Sequence, residues 1–291
     1  MAGAPLTPQK LFAELRPSAG AESGDRLTDA QFQQVADMVG RLTGIVIKEH
    51  KREMIHSRLS RRLRARSLST FKEYLDLLSS PAGESELGEL INAVTTNLTS
   101  FFREKHHFDH LRDKVIAPMA ASGAQRLRIW SSAASSGEEP YSIAMTVMAA
   151  PGFSKFGDAR MLATDIDTNI LARAEAGRYP ADRVAAIPDA LRSRYLDPAG
   201  EGFAFKSEVK RFISFRQLNL LHDWPMSGPF DVIFCRNVLI YFDAPTKRAV
   251  VDRMVRMIRP DGVLYLGHSE SLLGDHPLLR SEGQTIYRRL S

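Results

Sequence analysis

The chain has a single cysteine, Cys235, among its 291 residues. One thiol cannot form an internal disulfide framework, and it cannot supply a cysteine-rich zinc site. The sequence also lacks any apolar run of about 18 residues, the length that a membrane-spanning helix needs, so we expect no membrane insertion. Its first residues lack the basic start and the apolar block of a secretory signal. We therefore expect a cytoplasmic protein.

Positive charge is abundant but unevenly placed. The net charge is +5, yet residues 48–66 alone carry +6, so the remainder of the chain sums to −1. A charge this local indicates a surface that meets a partner, rather than a general property of the protein. The alternative is a basic helix face that is simply solvated.

The chain divides into three parts by pattern. Residues 1–26 are rich in alanine, glycine and proline without periodicity, which predicts a mobile tail. Apolar residues at helical spacing predict helices from Thr28 to Gly44, over 49–66, over 71–78 and from about Glu86, so residues 27–92 form a helical domain. Residues 93–291 form the remaining domain.

Helices and strands alternate in the last part. This alternation predicts a doubly wound α/β sheet with right-handed crossovers, in which the last two strands pair antiparallel. The predicted helices are 105–121, 138–150, 168–176 and 245–258, and the predicted strands are 126–132, 159–165, 212–216, 230–235, 262–268 and 284–289.

Four predicted strands end in polar loops: SSAASSGEE, TDID, QLNLL and CRN. Ligands of open α/β sheets bind at the carboxyl ends of strands, so these loops predict one site. The first loop has only Gly137, so it is neither a dinucleotide fingerprint nor a P-loop. Glu138 and Glu139 would repel a phosphate at this helix start, although they also suit the helix dipole alone.

Asp165 ends the second of these strands, where a carboxylate can accept both hydroxyls of a ribose. A ribose-binding acid, a second acidic patch and no phosphate-binding group suit a cationic adenosine cofactor. The sequence therefore predicts S-adenosylmethionine as the ligand.

Four sequence blocks also resemble a known family. TTNLTSFFRE (95–104), SSAASSGEEPYSIAM (131–145), LATDID (162–167) and FDVIFCRNVLIYFD (230–243) are similar to the signature blocks of the CheR family, the chemotaxis receptor methyltransferases. The resemblance extends over about residues 27–291. One departure is Ala133-Ala134, where many members have Gly-Cys; alanine is still small, so we expect the cofactor to enter.

The resemblance implies both a fold and an activity. The fold would be a small N-terminal all-α domain and a C-terminal Rossmann-like methyltransferase domain, with a small antiparallel β insertion at 177–211. The activity would be transfer of a methyl group from S-adenosylmethionine to glutamates of chemoreceptors, leaving S-adenosylhomocysteine. The partners would be the cytoplasmic domains of chemoreceptors, and we expect the enzyme to be a monomer.

The resemblance also assigns roles to individual residues. Arg103 and Tyr241 would be catalytic, Asp165 would bind the ribose, and Asn219 and Leu220 would contact the adenine. The remaining cofactor contacts would be Asn97, Thr99 and Arg103 in a loop over the methionine part, Ala133, Glu138 and Glu139 in the small-residue loop, and Arg236, Asn237 and Val238 in the fourth loop. We expect no metal, because the pair His106-His107 has no third ligand at metal spacing.

Receptor docking is expected on the basic helix. Its arginines Arg58, Arg61 and Arg62 lie on the face opposite Ile55 and Leu59, which leaves them available to an acidic partner. The loop of this insertion has only six residues, 197–202, whereas family members that capture a pentapeptide of the receptor tail carry a longer, glycine-rich loop there. We therefore expect no tight binding of that peptide.

Two other functions stay open from the sequence. A basic helix beside a cofactor fold also suits a nucleic-acid methyltransferase. Enzymes that methylate amino groups usually carry an N/D-P-P-Y/F motif, however, and this chain has Arg236-Asn237-Val238-Leu239 instead, so we expect no nucleic-acid substrate. The second alternative is a non-catalytic signalling module that binds S-adenosylmethionine, against which the intact Arg103, Asp165, Asn237 and Tyr241 argue.

Overall fold

The structure is a computed structural model that describes residues 26–272 and 274–291. The predicted tail, residues 1–26, lies outside these residues except for Arg26. The chain divides into two compact units, one that runs up to Thr96 and includes residues 241–246, and one made of residues 97–240 and 247–291. Within the described ranges, no helix has the length and apolar character needed to cross a bilayer.

The first unit is helical, as the periodicity predicts. Capping boxes at Thr28 and Thr70 begin two of its helices, and Gly44 ends the first one in the left-handed conformation, with φ of 72°. The buried side chains of the four helices form one apolar core. The helices are α1 (Asp29–Thr43), α2 (Arg52–Ala65), α3 (Phe71–Leu78) and α4 (Glu84–Val94), with short 3₁₀ turns at Glu49–Lys51 and Pro81–Gly83.

A buried ion pair joins α2 to α4 within this unit. Glu86 is 1% exposed and accepts hydrogen bonds from Arg62 Nε at 2.8 Å, from Arg62 Nη2 at 2.9 Å and from the Tyr74 hydroxyl at 2.9 Å. Arg58 Nη1 donates to the carbonyls of Ala93 and Thr95 at 3.0 and 2.6 Å. The expectation that Arg58 and Arg62 are free on the surface of α2 is therefore wrong, because both guanidiniums bond to α4 or to its carboxyl end; their role in receptor docking stays a prediction.

The second unit contains a seven-stranded sheet in the order β6-β2-β1-β7-β8-β10-β9. Its first five strands are parallel, and β10 pairs antiparallel with β8, as predicted for the last two strands. The edge strand β9 was not predicted, because its residues after Leu279 are exposed and polar. The strands are β1 (Arg126–Ser131), β2 (Asp158–Asp165), β3 (Arg178–Pro180), β4 (Leu196–Ala199), β5 (Gly202–Phe205), β6 (Ile213–Gln217), β7 (Phe230–Cys235), β8 (Ile258–Leu266), β9 (Leu279–Gly283) and β10 (Ile286–Arg289).

The remaining helices complete a doubly wound α/β fold. The predicted helix 105–121 contains a π-helical segment, Leu111–Ile116. Short helices between β3 and β6 were not predicted. The helices are α5 (Lys105–His110), α6 (Ala117–Ala121), α7 (Glu138–Ala149), α8 (Thr168–Ala176), α9 (Ala181–Val184), α10 (Asp189–Tyr195), α11 (Ser207–Phe212) and α12 (Ala244–Met257).

The predicted antiparallel insertion is confirmed. The strands β3, β5 and β4 form a separate three-stranded sheet with β5 in the middle. Phe205 on β5 stacks on Tyr141 of α7 with ring centroids 3.9 Å apart, which fixes the small sheet on the helix that follows β1.

Candidate active site

The four polar loops do meet at one edge of the large sheet. From β1 the chain proceeds outward to β2 and β6, and then returns to β7 on the other side of β1, so the order reverses between β1 and β7. The loop after β1 bridges its two neighbours, because Ser132 N–H donates to Phe234 O at 2.9 Å and Ala134 N–H to Thr164 O at 2.8 Å. Such a switch point is where open α/β sheets bind ligands.

The turn after β1 is close-packed. Gly137 has φ of 99°, and a Cβ there would lie 2.6 Å from the Tyr179 hydroxyl and 3.0 Å from the Ala174 Cβ. Glycine is therefore required at this position. Ala133, the predicted contact in this loop, is partly exposed.

Asp165 lies at the carboxyl end of β2, with 8% of its surface exposed. Its Oδ2 accepts the Ser135 N–H at 2.8 Å, and its Oδ1 accepts the Asp167 N–H at 3.1 Å. Burial raises the pKa of this carboxyl to about 6, even though these backbone donors favour the charged form. Each oxygen keeps a second lone pair, so an ionised Asp165 can still accept two hydroxyls.

Asp167 was not singled out by sequence reasoning, although it belongs to the TDID motif. It is 3% exposed, and its Oδ1 caps α8 by accepting the Ile170 N–H at 3.0 Å. Its Oδ2 accepts Asn97 Nδ2 at 2.7 Å. This contact connects the predicted methionine-side loop to the loop that carries the predicted ribose acid.

Side chains hold the loop that begins at Asn97 by donating hydrogen bonds to its main-chain carbonyls. The carbonyls of Asn97, Leu98 and Thr99 accept hydrogen bonds from Ser135 Oγ at 3.1 Å, Arg103 Nη1 at 3.3 Å and Arg183 Nη2 at 3.2 Å. Three successive carbonyls thus have side-chain donors. The predicted contacts Thr99 and Arg103 are both half-buried.

The two adjacent glutamates have different surroundings. Glu138 is 1% exposed; it is ion-paired with Arg183 and accepts Ser136 Oγ at 2.6 Å. Glu139 accepts Ser131 Oγ at 2.8 Å and Arg236 Nη1 at 3.0 Å, and its burial raises its pKa despite the arginine. This geometry favours a positioning role for Glu138, whose direct contact with the cofactor stays a prediction.

Arg236 follows β7 and connects several parts of the site. It is 4% exposed, and besides Glu139 it pairs with Glu104 Oε2, which lies 3.4 Å from its Nη2. The same Nη2 donates to the Arg103 carbonyl. The guanidinium therefore fixes the 103–104 backbone against the amino end of α7.

The expectation that His106 and His107 have no third ligand nearby is wrong. Ligand atoms of Glu104, His106 and His107 lie within 4.8 Å of one another. Both histidine Nε2 atoms, however, are within hydrogen-bond distance of the Gln284 carbonyl, at 3.3 and 3.0 Å, and Glu104 already faces Arg236. Within this cluster His107 Nδ1 and Glu104 Oε2 lie 3.6 Å apart, and neither has a hydrogen-bond partner. The expected absence of a metal stays a prediction.

The remaining predicted contacts lie in the other two loops. Asn237 and Val238 follow Arg236, and Asn237 is in the left-handed region, with φ of 58°. Leu220 is buried, and its carbonyl accepts Arg253 Nη1 at 3.1 Å. Asn219 is half-buried and its Oδ1 accepts the Leu221 N–H at 3.0 Å.

Tyr241 belongs to the helical unit. Its carbonyl accepts the Val46 N–H at 2.9 Å, and Lys51 Nζ lies 5.2 Å from the centroid of its ring. Its predicted catalytic role stays a prediction.

The lining of the switch point fits a nucleoside cofactor that carries positive charge. Asp165 offers two acceptor oxygens beside a small-residue loop, and Asn97 lies next to that loop through its hydrogen bonds with Ser135 and Asp167. The buried Glu139 adds a second carboxylate. These groups would hold the ribose and the charged end of S-adenosylmethionine.

Comparisons with known proteins identify the family. Residues 97–288 match the family described as CheR methyltransferase, SAM binding domain, and residues 30–95 match CheR methyltransferase, all-alpha domain. Chemotaxis protein methyltransferase 2 of Pseudomonas aeruginosa is 45% identical over 265 residues, covering 89% of this chain and 93% of that protein. Chemotaxis protein methyltransferase of Escherichia coli is 41% identical over 266 residues, covering 90% and 91%. The chain belongs to the CheR family of S-adenosylmethionine-binding chemotaxis methyltransferases.

Proposed function

We propose that the protein transfers a methyl group from S-adenosylmethionine to glutamate carboxylates of chemoreceptor cytoplasmic domains. The observation that carries the proposal is the end of β7, where Arg236-Asn237-Val238 stand instead of the motif typical of amino-methylating enzymes. Asn237 has a left-handed backbone conformation there, and its neighbour Arg236 donates a hydrogen bond to Glu139. We further propose that it acts as a cytoplasmic monomer.

The proposed reaction needs no general base. A glutamate side chain has an ordinary pKa of about 4.3, so the nucleophilic oxygen is already ionised at neutral pH. S-adenosylmethionine supplies the methyl group, whose bond to sulfur breaks as the bond to oxygen forms, and S-adenosylhomocysteine remains. The protein's contribution is then alignment and partial desolvation. Asp165 holds the ribose, and Arg103 is the proposed group that orients the substrate carboxylate.

The test is methyl transfer with labelled S-adenosylmethionine. Purified receptor should gain label in a base-labile form, as expected of a carboxyl ester, while DNA and RNA should gain none. Label on nucleic acid would favour the nucleic-acid alternative. Tight binding of S-adenosylhomocysteine without any transfer would favour the non-catalytic module.

We also propose that Arg61 contributes to receptor docking. It is exposed on α2, whereas its neighbours Arg58 and Arg62 are engaged with α4. The basic segment around Arg61 suits the acidic face of a partner.

Arg61→Glu should lower kcat/KM for receptor methylation at low salt and leave the affinity for S-adenosylhomocysteine unchanged. Higher salt should reduce the difference, because exposed charges are screened over about 8–10 Å at physiological ionic strength. Arg126→Glu, the same charge change at an exposed residue of β1, is the matched control. Equal kinetics for the two variants would rule out docking through Arg61. Arg62→Glu is unsuitable here, since removing one partner of a buried pair costs about 3–5 kcal/mol of folding free energy.

We propose that the small sheet does not capture a receptor tail peptide tightly. A peptide that adds as a strand must pair with an edge, and the edges here are β3 and β4. These strands have three and four residues and contain Pro180 and Pro198, which have no N–H to donate.

Calorimetric titration with an isolated aromatic-flanked pentapeptide should show a Kd above about 100 μM, weaker than roughly −5.5 kcal/mol. Pro198→Val, which restores one main-chain donor on β4, is the matched comparison. Binding of the wild-type protein at low micromolar concentration would show that these short edges suffice.

A further inference from the structure

Glu270 is a buried carboxylate in the segment that follows β8. It has no exposed surface, and it accepts hydrogen bonds from three main-chain N–H groups. Its Oε2 accepts those of Asn237 at 2.6 Å and Gly267 at 2.9 Å, and its Oε1 accepts that of Ile240 at 3.1 Å. Two of the three donors thus belong to the loop after β7, 30 and 33 residues away in sequence.

These contacts hold an unusual backbone. Asn237 has φ of 58°, a left-handed conformation that an L-residue adopts at a cost and that asparagine tolerates better than most. A charged acceptor forms stronger hydrogen bonds than a neutral one, so an ionised Glu270 can offset that cost. Its carboxylate joins the first and the last residue of the segment 237–240.

The neighbouring glycine shows how closely the two segments pack. A Cβ on Gly267 would lie 2.6 Å from Asn237 Nδ2, 2.7 Å from Glu270 Oε2 and 2.9 Å from Asn237 N. Any larger residue must therefore displace the Asn237 side chain, its backbone or the Glu270 carboxylate.

We propose that Glu270 is a positioning residue for the methyl-transfer site. It sets the conformation of residues 237–240, and through them the direction in which the Asn237 amide faces the cofactor. This inference rests on the proposed function of the site and on the predicted contact of Asn237. Glu270 itself, without exposed surface, does not touch the cofactor.

If Glu270 only stabilised the fold, its loss should affect cofactor binding no more than the loss of another buried carboxylate. A residue of the same sheet provides that control. Asp231, at the amino end of β7, is also a buried carboxylate, 7% exposed. It accepts the Arg128 N–H at 2.7 Å and pairs with Arg259 Nε at 2.5 Å. Loss of its charge should destabilise the same sheet at the end remote from the site.

The experiment compares Glu270→Gln with Asp231→Asn in the full chain. In the first variant the amide side chain retains one acceptor oxygen, and its NH₂ group must face one of the main-chain donors. Glu270→Gln should weaken S-adenosylhomocysteine binding by calorimetry about tenfold or more, the effect of losing a hydrogen bond to a charged group. Asp231→Asn should change that affinity less than about twofold at a comparable loss of Tm, because its contacts lie away from the loops that form the site.

Equal affinities of the two variants, at matched loss of Tm, would overturn the proposal. If Glu270→Gln does not fold, Gly267→Ala tests the same loop, because its Cβ displaces Asn237 without removing any charge. It should weaken S-adenosylhomocysteine binding in a folded protein, and wild-type affinity would overturn the proposal. Failure of the wild-type protein to bind S-adenosylhomocysteine at all would instead refute the proposed function.

Discussion

Asp165→Asn is expected to weaken S-adenosylhomocysteine binding by about 10- to 150-fold, the change in Kd that corresponds to the roughly 1.5–3 kcal/mol of a hydrogen bond to a charged group. Both oxygens of Asp165 already accept backbone N–H groups, from Ser135 and Asp167, and in the complex each would also accept a ribose hydroxyl. An amide has only one acceptor oxygen, so its NH₂ group would face a backbone donor and one hydroxyl would lose its partner.

The same residue should make binding depend on pH. Burial raises the pKa of Asp165 to about 6 in the free protein, so this group lowers folding stability as pH rises from its ordinary pKa through 6. Its ionised form is the one that accepts two hydroxyls. The affinity for S-adenosylhomocysteine should therefore increase as pH rises from about 5 to about 7, and Asp165→Asn should flatten this dependence.

Asp158→Asn provides the control for both measurements. Asp158 begins β2, the strand that Asp165 ends, and its side chain is 48% exposed beside Arg128 and Arg160. Calorimetry at several pH values should give wild-type affinities for this variant. An affinity of Asp165→Asn equal to that of the wild type at about pH 8, where the wild-type carboxyl is ionised, would remove Asp165 from the site.

Much of this site could be predicted because its elements are local in sequence. An apolar strand followed directly by small or polar residues, as around Ser131 and Asp165, shows both the strand and the loop at its carboxyl end. Parallel pairing then brings such ends to one edge without further information. The strand β9 lacks this signal, since four of its five residues are exposed.

The positioning residues could not be predicted, because their partners are distant in sequence. Glu270 bonds to Asn237 across 33 residues, Asp167 to Asn97 across 70, and Arg183 to Thr99 across 84. Periodicity shows which face of a helix is apolar, but it does not show which distant residues contact the polar side chains beside that face. The error on Arg62 has this origin, since Glu86 lies 24 residues further along the chain.

Arg236→Ala is expected to lower the free energy of unfolding of the methyltransferase domain by about 3–5 kcal/mol, because it leaves buried carboxylates without their cation. Glu139 and Glu104 both face Arg236, at 3.0 and 3.4 Å, and both are largely buried. A loss of that size is a large share of the about 5–15 kcal/mol that stabilises a typical domain. Denaturant unfolding followed by circular dichroism measures it.

Two further variants separate the charge of Arg236 from its shape. Arg236→Lys keeps the cation but cannot reach Glu139, Glu104 and the Arg103 carbonyl together, so it should be intermediate in stability. The double variant Arg236→Met, Glu139→Gln removes both members of one pair. It should be more stable than the sum of the single losses predicts, since one of the two orphaned carboxylates, that of Glu139, is gone while Glu104 remains.

The folding stability of Arg236→Ala should also depend on pH in a defined direction. Burial already raises the pKa of Glu139 with Arg236 present, and removing the guanidinium should raise it further. The folded Arg236→Ala protein then keeps a proton that the unfolded chain releases, so its stability should fall more steeply than that of the wild type as pH rises above the ordinary pKa of a glutamate. If Arg236→Ala lost less than about 1 kcal/mol and kept the wild-type pH profile, the buried pair would not organise this site.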